Sequence, residues 1–547
     1  MANAAGPMEP KRVGVAATSA SKPVSGWAPL HHPDYRRLWL AQFTSNVGSW
    51  MQTVAAQWVM TTLTSSALLL SAISAAGSIP VLLLAVPSGA LGDLVDRKRL
   101  ILVAQMVMLL AAAGLALLSA IGALTPWLLI ALLFVIGVGG AAGAPTWQTL
   151  QPELVPASDR PQAIALGSVN QNLARAVGPA IGGLLLAATS AALVFGVNAF
   201  SFVAVLAAVV LTRIPARTQD LPREHVTAAI RAGGRYVANS PLLLAVIVRA
   251  VGFVFFAGAT WALLPLVARF RLGLGSAGYG LLLGCVGLGA VLAATFGPAL
   301  KRRLSNRSIY VLGCGMIAAS AALLAISHSV VVAVVVLVAA GAAWIIALGV
   351  MSTAYQGQLP SWVKARSFAY YLIAFQGANG IGALCLGGVA QATSVSTALL
   401  VVAGGLVAAG LLTLPLPLPG SGDPALLASD PLPLPELPTT VQEGPVAVSV
   451  RYRLAPGADQ EFLAAAVELR RLRRRTGAVH WHLHRDLDDP ELFTELFIVG
   501  SWDDHERQHE RIQAGDRAVL TRIDGLLAPG ETRTARHAVG VRVGHRG

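Results

Sequence analysis

Charged residues are scarce in this chain. Asp, Glu, Lys and Arg make up 12% of its 547 residues, whereas 55% are hydrophobic. Because a soluble domain carries about 25% charged residues, the composition excludes an ordinary soluble protein and indicates one embedded in a lipid bilayer. Much of the net charge of +13 lies in short loops between apolar runs, where membrane topology explains it. We therefore expect no nucleic acid among the partners.

Cysteine is almost absent, and its three copies, Cys285, Cys314 and Cys385, all fall in apolar runs. They offer neither a disulfide framework nor the spacing of metal ligands. The chain also lacks a Walker-type phosphate loop, so ATP is not the energy source. The sequence therefore predicts no metal and no other cofactor.

Long apolar runs are present instead, each near the roughly 20 residues that cross a bilayer. Twelve are predicted: 38–63, 68–91, 100–121, 126–150, 162–188, 192–211, 242–267, 279–300, 309–326, 330–355, 367–391 and 397–414. The basic residues between them favour one side. Of 21 Lys and Arg from 31 to 415, an even helix count places 17 on one side and two on the other, with Arg175 and Arg249 inside spans. The bias predicts that both termini are cytoplasmic, and snorkelling would account for Arg249.

The two halves of this domain are similar in sequence. Residues 155–172 align with 359–376 at an offset of 204, and Gly89–Arg99 aligns with Gly297–Arg307 at an offset of 208. A parallel repeat of six helices implies two bundles related by an axis along the membrane normal. The predicted fold class is an all-α polytopic membrane protein of two six-helix repeats, followed by a small ferredoxin-like α+β domain.

Composition sets the predicted boundaries. Residues 1–30 form a disordered cytoplasmic tail without the apolar core of a cleaved signal. The twelve-helix domain spans 31–415, with halves 31–211 and 242–415 joined by a central loop, 212–241. A proline-rich linker, 416–444, leads to a cytoplasmic domain, 445–547, whose pattern alternates between strand and helix: 446–454, 459–475, 480–487, 492–502, 503–527 and 536–543.

The charged connector between the second and third runs carries the most specific motif. Gly89, Asp93, Arg97 and Arg99 fit a loop of the form G-x-x-x-D-R-x-G-R-R, with Leu94 and Asp96 departing from it. This pattern resembles the major facilitator superfamily of secondary transporters. With the twelve runs and the repeat, the resemblance implies a transporter that works by alternating access.

The fifth run adds Gly178, Pro179, Gly182 and Gly183, which resemble a glycine–proline motif of exporter branches in that superfamily. Proline removes a helix hydrogen bond and glycine permits close helix approach, so these residues and the connector's four are the gating candidates. Ordinary small-residue packing is the alternative. Together with the polar run 45–52, residues 31–415 resemble the enterobactin-exporter-like, "transmembrane secretion effector" branch. That resemblance implies efflux across a bacterial inner membrane.

Polar residues inside the runs are candidates for a substrate cavity. A charge at mid-membrane is costly, so Arg175 indicates a functional site, with a structural clasp as the alternative. Asn172 lies on its helix face, and the repeat maps the pair onto Gln376 and Asn379. Asn46 of the first run is the remaining candidate, with a helix–helix hydrogen bond as its alternative.

Acidic residues are missing where proton-coupled transporters commonly keep one. None occurs between Glu224 and Asp423, nor within the spans of the first half. If the proton-motive force drives transport, Asp93 is the candidate coupling group, with Arg97 one turn away as its partner. The alternative, which we favour, is a structural latch at the cytoplasmic gate.

The C-terminal domain resembles dimeric α/β barrels of the antibiotic-biosynthesis-monooxygenase type through its element order and residues 501–509. This resemblance implies a homodimer through residues 445–547, or else a cytoplasmic oxygenase. His480, His482 and His484 share one strand face, which favours a solvent or dimer surface over a metal site. The interpretation of the whole chain is a secondary exporter of a small organic molecule that is not an enzyme.

Overall fold

The computed structural model describes residues 26–94, 96–213, 226–360, 362–418 and 444–540, with the backbone alone at 85–94, 226–230 and 365. Most of the predicted tail 1–30 and linker 416–444 lies outside these residues. The described chain forms a bundle of long helices followed by a small mixed domain. The largest buried apolar cluster lies in the bundle around α8 (Pro241–Leu266), where Phe253 and Leu263 are fully buried.

The helices of the bundle follow one another through short connections. Those of the first half are α1 Pro33–Leu63, α2 Ala67–Leu94, α3 Arg97–Ala120, α4 Pro126–Glu153, α5 Arg160–Ala188 and α6 Ala191–Leu211. After α7 (Val226–Ala238) and α8 come α9 Ser276–Arg303, α10 Asn306–Ile326, α11 Val330–Gly357, α12 Lys364–Ala392 and α13 Val395–Leu412. Side chains cap several starts: Thr125, Ser190, Ser305 and Ser394 each accept a backbone N–H of the first turn.

Ten helices among the described residues are long and apolar enough to cross a membrane. The two other long helices of the bundle, α1 and α5, are more polar. They contain the Gln, Asn and Arg residues that the sequence analysis predicts to line a substrate cavity. A helix that faces lipid all round could not carry these groups, because each would be buried in hydrocarbon without a partner.

The helices of the two halves pack in the same pairs. In the first half α1 contacts α5 and α6, α3 contacts α4 and α6, and α2 contacts α4. Seven helices further along the chain the same pairs recur: α8 with α12 and α13, α10 with α11 and α13, and α9 with α11. The two halves then meet through α2 against α12 and α5 against α9, which are again equivalent pairs. The packing follows the repeat that the sequence predicts.

The predicted central loop, 212–241, is not all loop. It contains α7, which packs against α12 and α8. Tyr236 of α7 is buried, and its hydroxyl donates to the carbonyl of Gln358 (3.3 Å). The stretch reads as hydrophilic because one face of this amphipathic helix carries arginines, while the opposite face packs on the bundle.

Arg249 does not snorkel to the surface as predicted. Its side chain is fully buried and donates to the carbonyl oxygens of Thr413, Leu416 and Pro417, at 2.7, 2.5 and 2.7 Å. These carbonyls lie just past the end of α13, where no further turn of helix follows. The cation also complements the negative end of the α13 dipole, so Arg249 is a helix cap between the first and last helices of the second half.

The C-terminal part is a four-stranded antiparallel sheet of order β2-β3-β1-β4. Its elements are β1 Val446–Arg453, α14 Asp459–Thr476, β2 His480–Arg485, β3 Leu492–Val499, α15 Trp502–Glu510, α16 Ala514–Asp524 and β4 Thr534–Val539. The predicted element order is present, but the single helix at 503–527 is two, and β3 ends before Trp502. Trp481 and Leu483 pack against the domain core, whereas the three alternate histidines of β2 are exposed.

Candidate functional site

Helix α5 lies where the two halves of the bundle meet. On one side Gly178 and Gly182 pack on α1, since a Cβ at either would lie within 2.7 Å of Trp50 or Met51. On another side Gly183 packs on α9, where its Cβ would lie 2.6 Å from the Cα of Gly280. These predicted gating glycines therefore form the close contacts of α5 with both halves, and buried Pro179 lies between them.

Arg175 lies between these two contact lines, near the middle of α5. Its guanidinium carbon is 5.4 Å from the centre of the Trp50 ring, and its Nε is buried without a hydrogen-bond partner. Among the described residues, no carboxylate pairs with it. Arg175 itself is partly exposed. Between it and the start of α5 lies an exposed polar strip that includes Ser168, Gln171 and Asn172.

Asn46 lies in a chain of amides between α1 and α5. Gln42 Nε2 donates to Asn46 Oδ1 (2.9 Å), Asn46 Nδ2 donates to Asn170 Oδ1 (2.8 Å), and Asn170 Nδ2 donates to the Trp39 carbonyl (2.9 Å). This is the helix–helix hydrogen bond given as the alternative for Asn46. Asn170, which the sequence analysis did not single out, is buried, unlike exposed Asn172. Helical spacing from the glycines that face α1 could have separated the two.

The equivalent residues of the second half lie on α12. Asn379 Nδ2 donates to Ser78 Oγ of α2 (2.9 Å), which is a contact between the halves. Gln376 is partly exposed one turn earlier and has no hydrogen bond among the described residues. The structure therefore places Arg175 and Asn379 near the two equivalent contacts between halves, α5 with α9 and α2 with α12.

Among the described side chains, the hydrogen bonds between the halves lie in one part of the bundle. We call the end that carries Arg97–Arg99 the basic end and the other the far end. From mid-helix to the far end, Tyr279 OH donates to Gln57, Arg269 donates to Thr61 (3.0 Å), and the backbone N–H of Ala67 donates to Gln391 (2.8 Å). Toward the basic end α5 is instead exposed, so the polar strip that ends at Arg175 opens in that direction.

The basic end is braced within the first half. Arg97 pairs with Glu153 of α4 (2.7 Å), and Lys98 Nζ donates to the carbonyl of Val210 (2.9 Å) at the end of α6. Arg99 is exposed, with its backbone N–H bound by Asp96 (2.8 Å). Only the backbone of Gly89 and Asp93 belongs to the described part, so the predicted roles of both residues stay predictions. Arg97, predicted as the partner of Asp93, has a partner on another helix.

A histidine–carboxylate hydrogen bond holds the connection before α5. His32 Nε2 lies 3.1 Å from Asp159 Oδ2, and this hydrogen bond is the main cause that lowers the pKa of Asp159. Tyr35 OH and Trp39 Nε1 also donate to α5, to the carbonyls of Ala163 (2.9 Å) and Leu166 (3.0 Å). The start of α1 is thus fixed to the start of α5.

The C-terminal domain has two buried polar groups of its own. Glu495 is fully buried and accepts hydrogen bonds from Tyr452, Arg473 and Trp481, at 2.6, 3.0 and 2.8 Å. Burial alone would lower the pKa of Arg473, but Glu495 outweighs it and the pKa lies above its usual range. Both carboxylate oxygens accept hydrogen bonds from these donors, so the group is a structural network.

The second group surrounds His505. The pKa of His505 is lowered to about 4. Burial is the larger cause, and the neighbouring His509 and His537 add to it. In the described part of the chain no three His, Cys, Asp or Glu residues are arranged to hold a metal ion. His505 is therefore neutral in the folded domain at pH 7, and the domain loses stability as the pH falls below about 6.5, where the unfolded chain binds the proton.

Comparison with known proteins agrees with this arrangement. Residues 24–543 match the family described as transmembrane secretion effector. The chain is 28% identical to the enterobactin exporter EntS of Salmonella typhi over 394 residues, 70% of this chain and 92% of that protein. It is 30% identical to the uncharacterized MFS-type transporter YfiS of Bacillus subtilis over 214 residues, 37% of this chain and 49% of that protein.

Solved structures show the same fold at low identity. A bacterial homolog of the human lysosomal transporter Spinster, in an inward-facing and occupied conformation, superposes with a TM-score of 0.58 at 15% identity, covering 71% of this chain and 97% of that one. A point mutant of the nucleoside transporter NupG superposes with the same TM-score of 0.58 at 13% identity, covering 70% of this chain and 99% of that one. The prediction of a helical polytopic membrane fold is confirmed.

The family match, the exporter relatives and the helical bundle define a secondary membrane transporter rather than an enzyme. The chain belongs to the transmembrane secretion effector family of the major facilitator superfamily. It is a multi-pass membrane protein of a bacterial exporter family, and it exports small molecules by secondary transport.

Proposed function

We propose that the chain crosses the bacterial inner membrane twelve times, through α1–α6 and α8–α13, and exports its substrate by alternating access. The basic end would face the cytoplasm, because cytoplasmic loops carry an excess of Lys and Arg. The polar helices α1 and α5 are counted as spans because they pack in the same pairs as the apolar helices α8 and α12.

One observation supports this mechanism above the others. Among the described residues, the hydrogen bonds and glycine contacts between the halves lie from mid-helix to the far end, while the polar residues near the start of α5 are exposed toward the basic end. In a two-bundle transporter this is the arrangement that would admit a substrate from the cytoplasm. Rocking the halves about α2–α12 and α5–α9 would close the basic end and open the far end.

The proton-motive force is the proposed energy source. Asp93 lies at the basic end of α2, and no described helix of the bundle carries an acidic residue in its interior. Asp93 is the candidate coupling group, although a latch that holds the basic end is the role we favour for it. For the C-terminal domain we propose a ferredoxin-like fold without enzymatic activity, supported by its strand order and by the Glu495 network, whose carboxylate oxygens are both hydrogen-bonded. Pairing of two chains through this domain, as the monooxygenase resemblance implies, is a further proposal.

The test of export is metabolite distribution in the bacterium that encodes the chain. A strain without the gene should retain at least one small organic compound that the parent strain releases. The wild-type gene should restore release, and an empty vector should not. Mass spectrometry of cell extract and medium measures both pools. Equal distribution of every compound in the two strains would contradict export.

A further inference from the structure

Arg175 differs from three other described arginines of the bundle, of which Arg249 is buried and Arg269 and Arg271 are partly buried. Arg249 donates to three carbonyls, Arg269 donates to Thr61, and Arg271 donates to Ser396. Each of these side chains is thus held by a protein oxygen. Arg175 is the exception, since among the described residues it has only the face of Trp50. The rest of its guanidinium is partly exposed toward the opening, so near mid-membrane this cation has donors that no described protein acceptor uses.

The depth of Arg175 makes the missing partner more important. At 1.5 Å per residue it lies about 22 Å from the start of α5, close to the middle of a helix about 43 Å long. The next residue, Ala176, packs on α9, because a Cβ at Gly287 would lie 2.7 Å from its Cα. Arg175 therefore stands at the inner limit of the opening, where the two halves first touch.

We infer that Arg175 and Trp50 form a binding site for an anionic group on an aromatic or otherwise flat organic substrate. The guanidinium would bind a carboxylate or a similar oxyanion through two parallel N–H donors, which an ammonium group cannot reproduce. The ring of Trp50 would hold the flat part of the molecule. This inference rests on the proposed export function, because it concerns the substrate that the same opening admits.

The direct test compares two probes that differ only in charge. Binding of 1-naphthoate and of neutral 1-naphthamide to the full-length protein in detergent is measured by isothermal titration. We expect the carboxylate to bind about 10- to 100-fold more tightly, as a charge-assisted pair of hydrogen bonds would give. Arg175→Ala should remove the preference, and Arg175→Lys should keep only part of it.

Controls separate this site from general attraction of anions. Arg36→Ala removes an exposed charge at the basic end and should leave the preference intact. Equal binding of the two probes, no binding of naphthoate, or a preference that survives Arg175→Ala would overturn the inference. So would binding of inorganic phosphate or chloride as tight as that of naphthoate, because the site would then hold a free inorganic ion.

Export measurements distinguish this inference from the proposed function. In the strain described above, Arg175→Ala should lose release of the retained compound while reaching the membrane at the wild-type level. Release of a neutral or cationic compound that Arg175→Ala leaves unchanged would overturn the anion site and leave export standing. An Arg175→Ala protein that unfolds, with a lowered melting temperature, would assign Arg175 to a structural clasp and overturn the inference.

A separate observation concerns the C-terminal domain. The Arg511 guanidinium stacks on the ring of Trp362, 4.1 Å from its centre, while Arg511 NH1 donates to the carbonyl of Thr476 (3.1 Å) in its own domain. Trp362 lies in the connection between α11 and α12, and the ring of Tyr236 from α7 meets it edge-on at 5.7 Å. Helix α14 packs on α7, which in turn packs on α12.

We propose that this cluster docks the C-terminal domain on the second half, so that the domain restrains the basic end of α12. Trp362 contacts both the C-terminal domain and the rest of the bundle, because Arg511 of the domain covers one face of its ring and Tyr236 of α7 meets the ring edge-on. The domain would then move with the second half when the halves rock. The surface on which the domain docks is formed by α7 and α12 at the basic end. The contact that holds it there is the Arg511 cation on the Trp362 ring.

Hydrogen exchange of the full-length protein tests the docking. Arg511→Ala should speed exchange in 231–240 and 362–372 by about tenfold or more, as loss of a cation–aromatic contact worth about 1.4 kcal/mol would give. Arg536→Ala, at an exposed position of β4, should change neither segment. If Arg511→Ala and Trp362→Ala both leave exchange in 231–240 and 362–372 unchanged, the docking is wrong. Unfolding of the domain itself would appear as faster exchange in β1 and β3 and would also count against it.

Discussion

Gly183→Leu should abolish transport although it adds no charge and touches no candidate substrate contact. A Cβ at Gly183 would lie 2.6 Å from the Cα of Gly280 and 3.0 Å from the Ser276 carbonyl, and backbone atoms cannot move aside as a flexible side chain can. The larger side chain must therefore separate α5 from α9 at the far end. The variant could then not adopt the conformation in which the far end is closed.

Two measurements follow from that separation. Export of the retained compound should fall to the level of the empty vector. In a protein whose three cysteines are replaced by alanine, a cysteine at Thr61, which is buried at the far end, should react several-fold faster with an impermeant thiol reagent. The matched control is Gly196→Leu, where no atom lies within 4 Å of the added Cβ. Normal export by Gly183→Leu, or unchanged reactivity at Thr61, would contradict the closed far end.

Arg249→Ala should destabilise the protein more than any other single change at an arginine of the bundle. It removes the three hydrogen bonds that the fully buried Arg249 donates to the carbonyls of Thr413, Leu416 and Pro417. We expect a loss on the order of 2–4 kcal/mol in the free energy of unfolding, since hydrogen bonds to a charged group are worth about 1.5–3 kcal/mol each and are not additive. A lower melting temperature of the purified protein in detergent measures it.

The contrast with Arg175 makes this prediction specific. Both residues are arginines within helices of the bundle, but only Arg249 is used by protein acceptors. Arg175→Ala should therefore melt near the wild-type temperature although export is lost. Arg249→Ala should lower the melting temperature and also lose export. If the two variants melt alike, the division between a structural and a substrate-binding arginine is wrong.

Apolar length and the repeat were sufficient to predict most of the bundle from the sequence. The offset that aligns Asn172 with Gln376 reappears in the structure as the equivalence of α5 and α12. The ends were less well predicted, because α1 begins at Pro33, five residues before the first apolar residue of the run. Amphipathic α7 was read as loop because its arginines dominate a short stretch.

Contacts between distant segments were beyond the sequence. The carbonyls that hold Arg249 lie more than 160 residues away and carry no side-chain signal, so snorkelling was the simpler explanation. For the same reason the amide of Asn170 was not distinguished from that of Asn172, although only Asn170 meets α1. Residue type revealed which helices are polar, but only packing reveals which face of each helix is already occupied.

The measurement that tests the account most directly follows both ends of the bundle at once. A pair of spin labels at Arg36 and Arg302 reports the distance between the halves at the basic end, and a pair at Thr189 and Ser329 reports it at the far end. All four positions are exposed, and each pair has one label in each half. We expect the wild-type protein to give a long distance at the basic end and a short one at the far end, and Gly183→Leu to reverse both. If the two distances lengthen together, or if neither changes, the halves do not rock about their contacts and alternating access is contradicted.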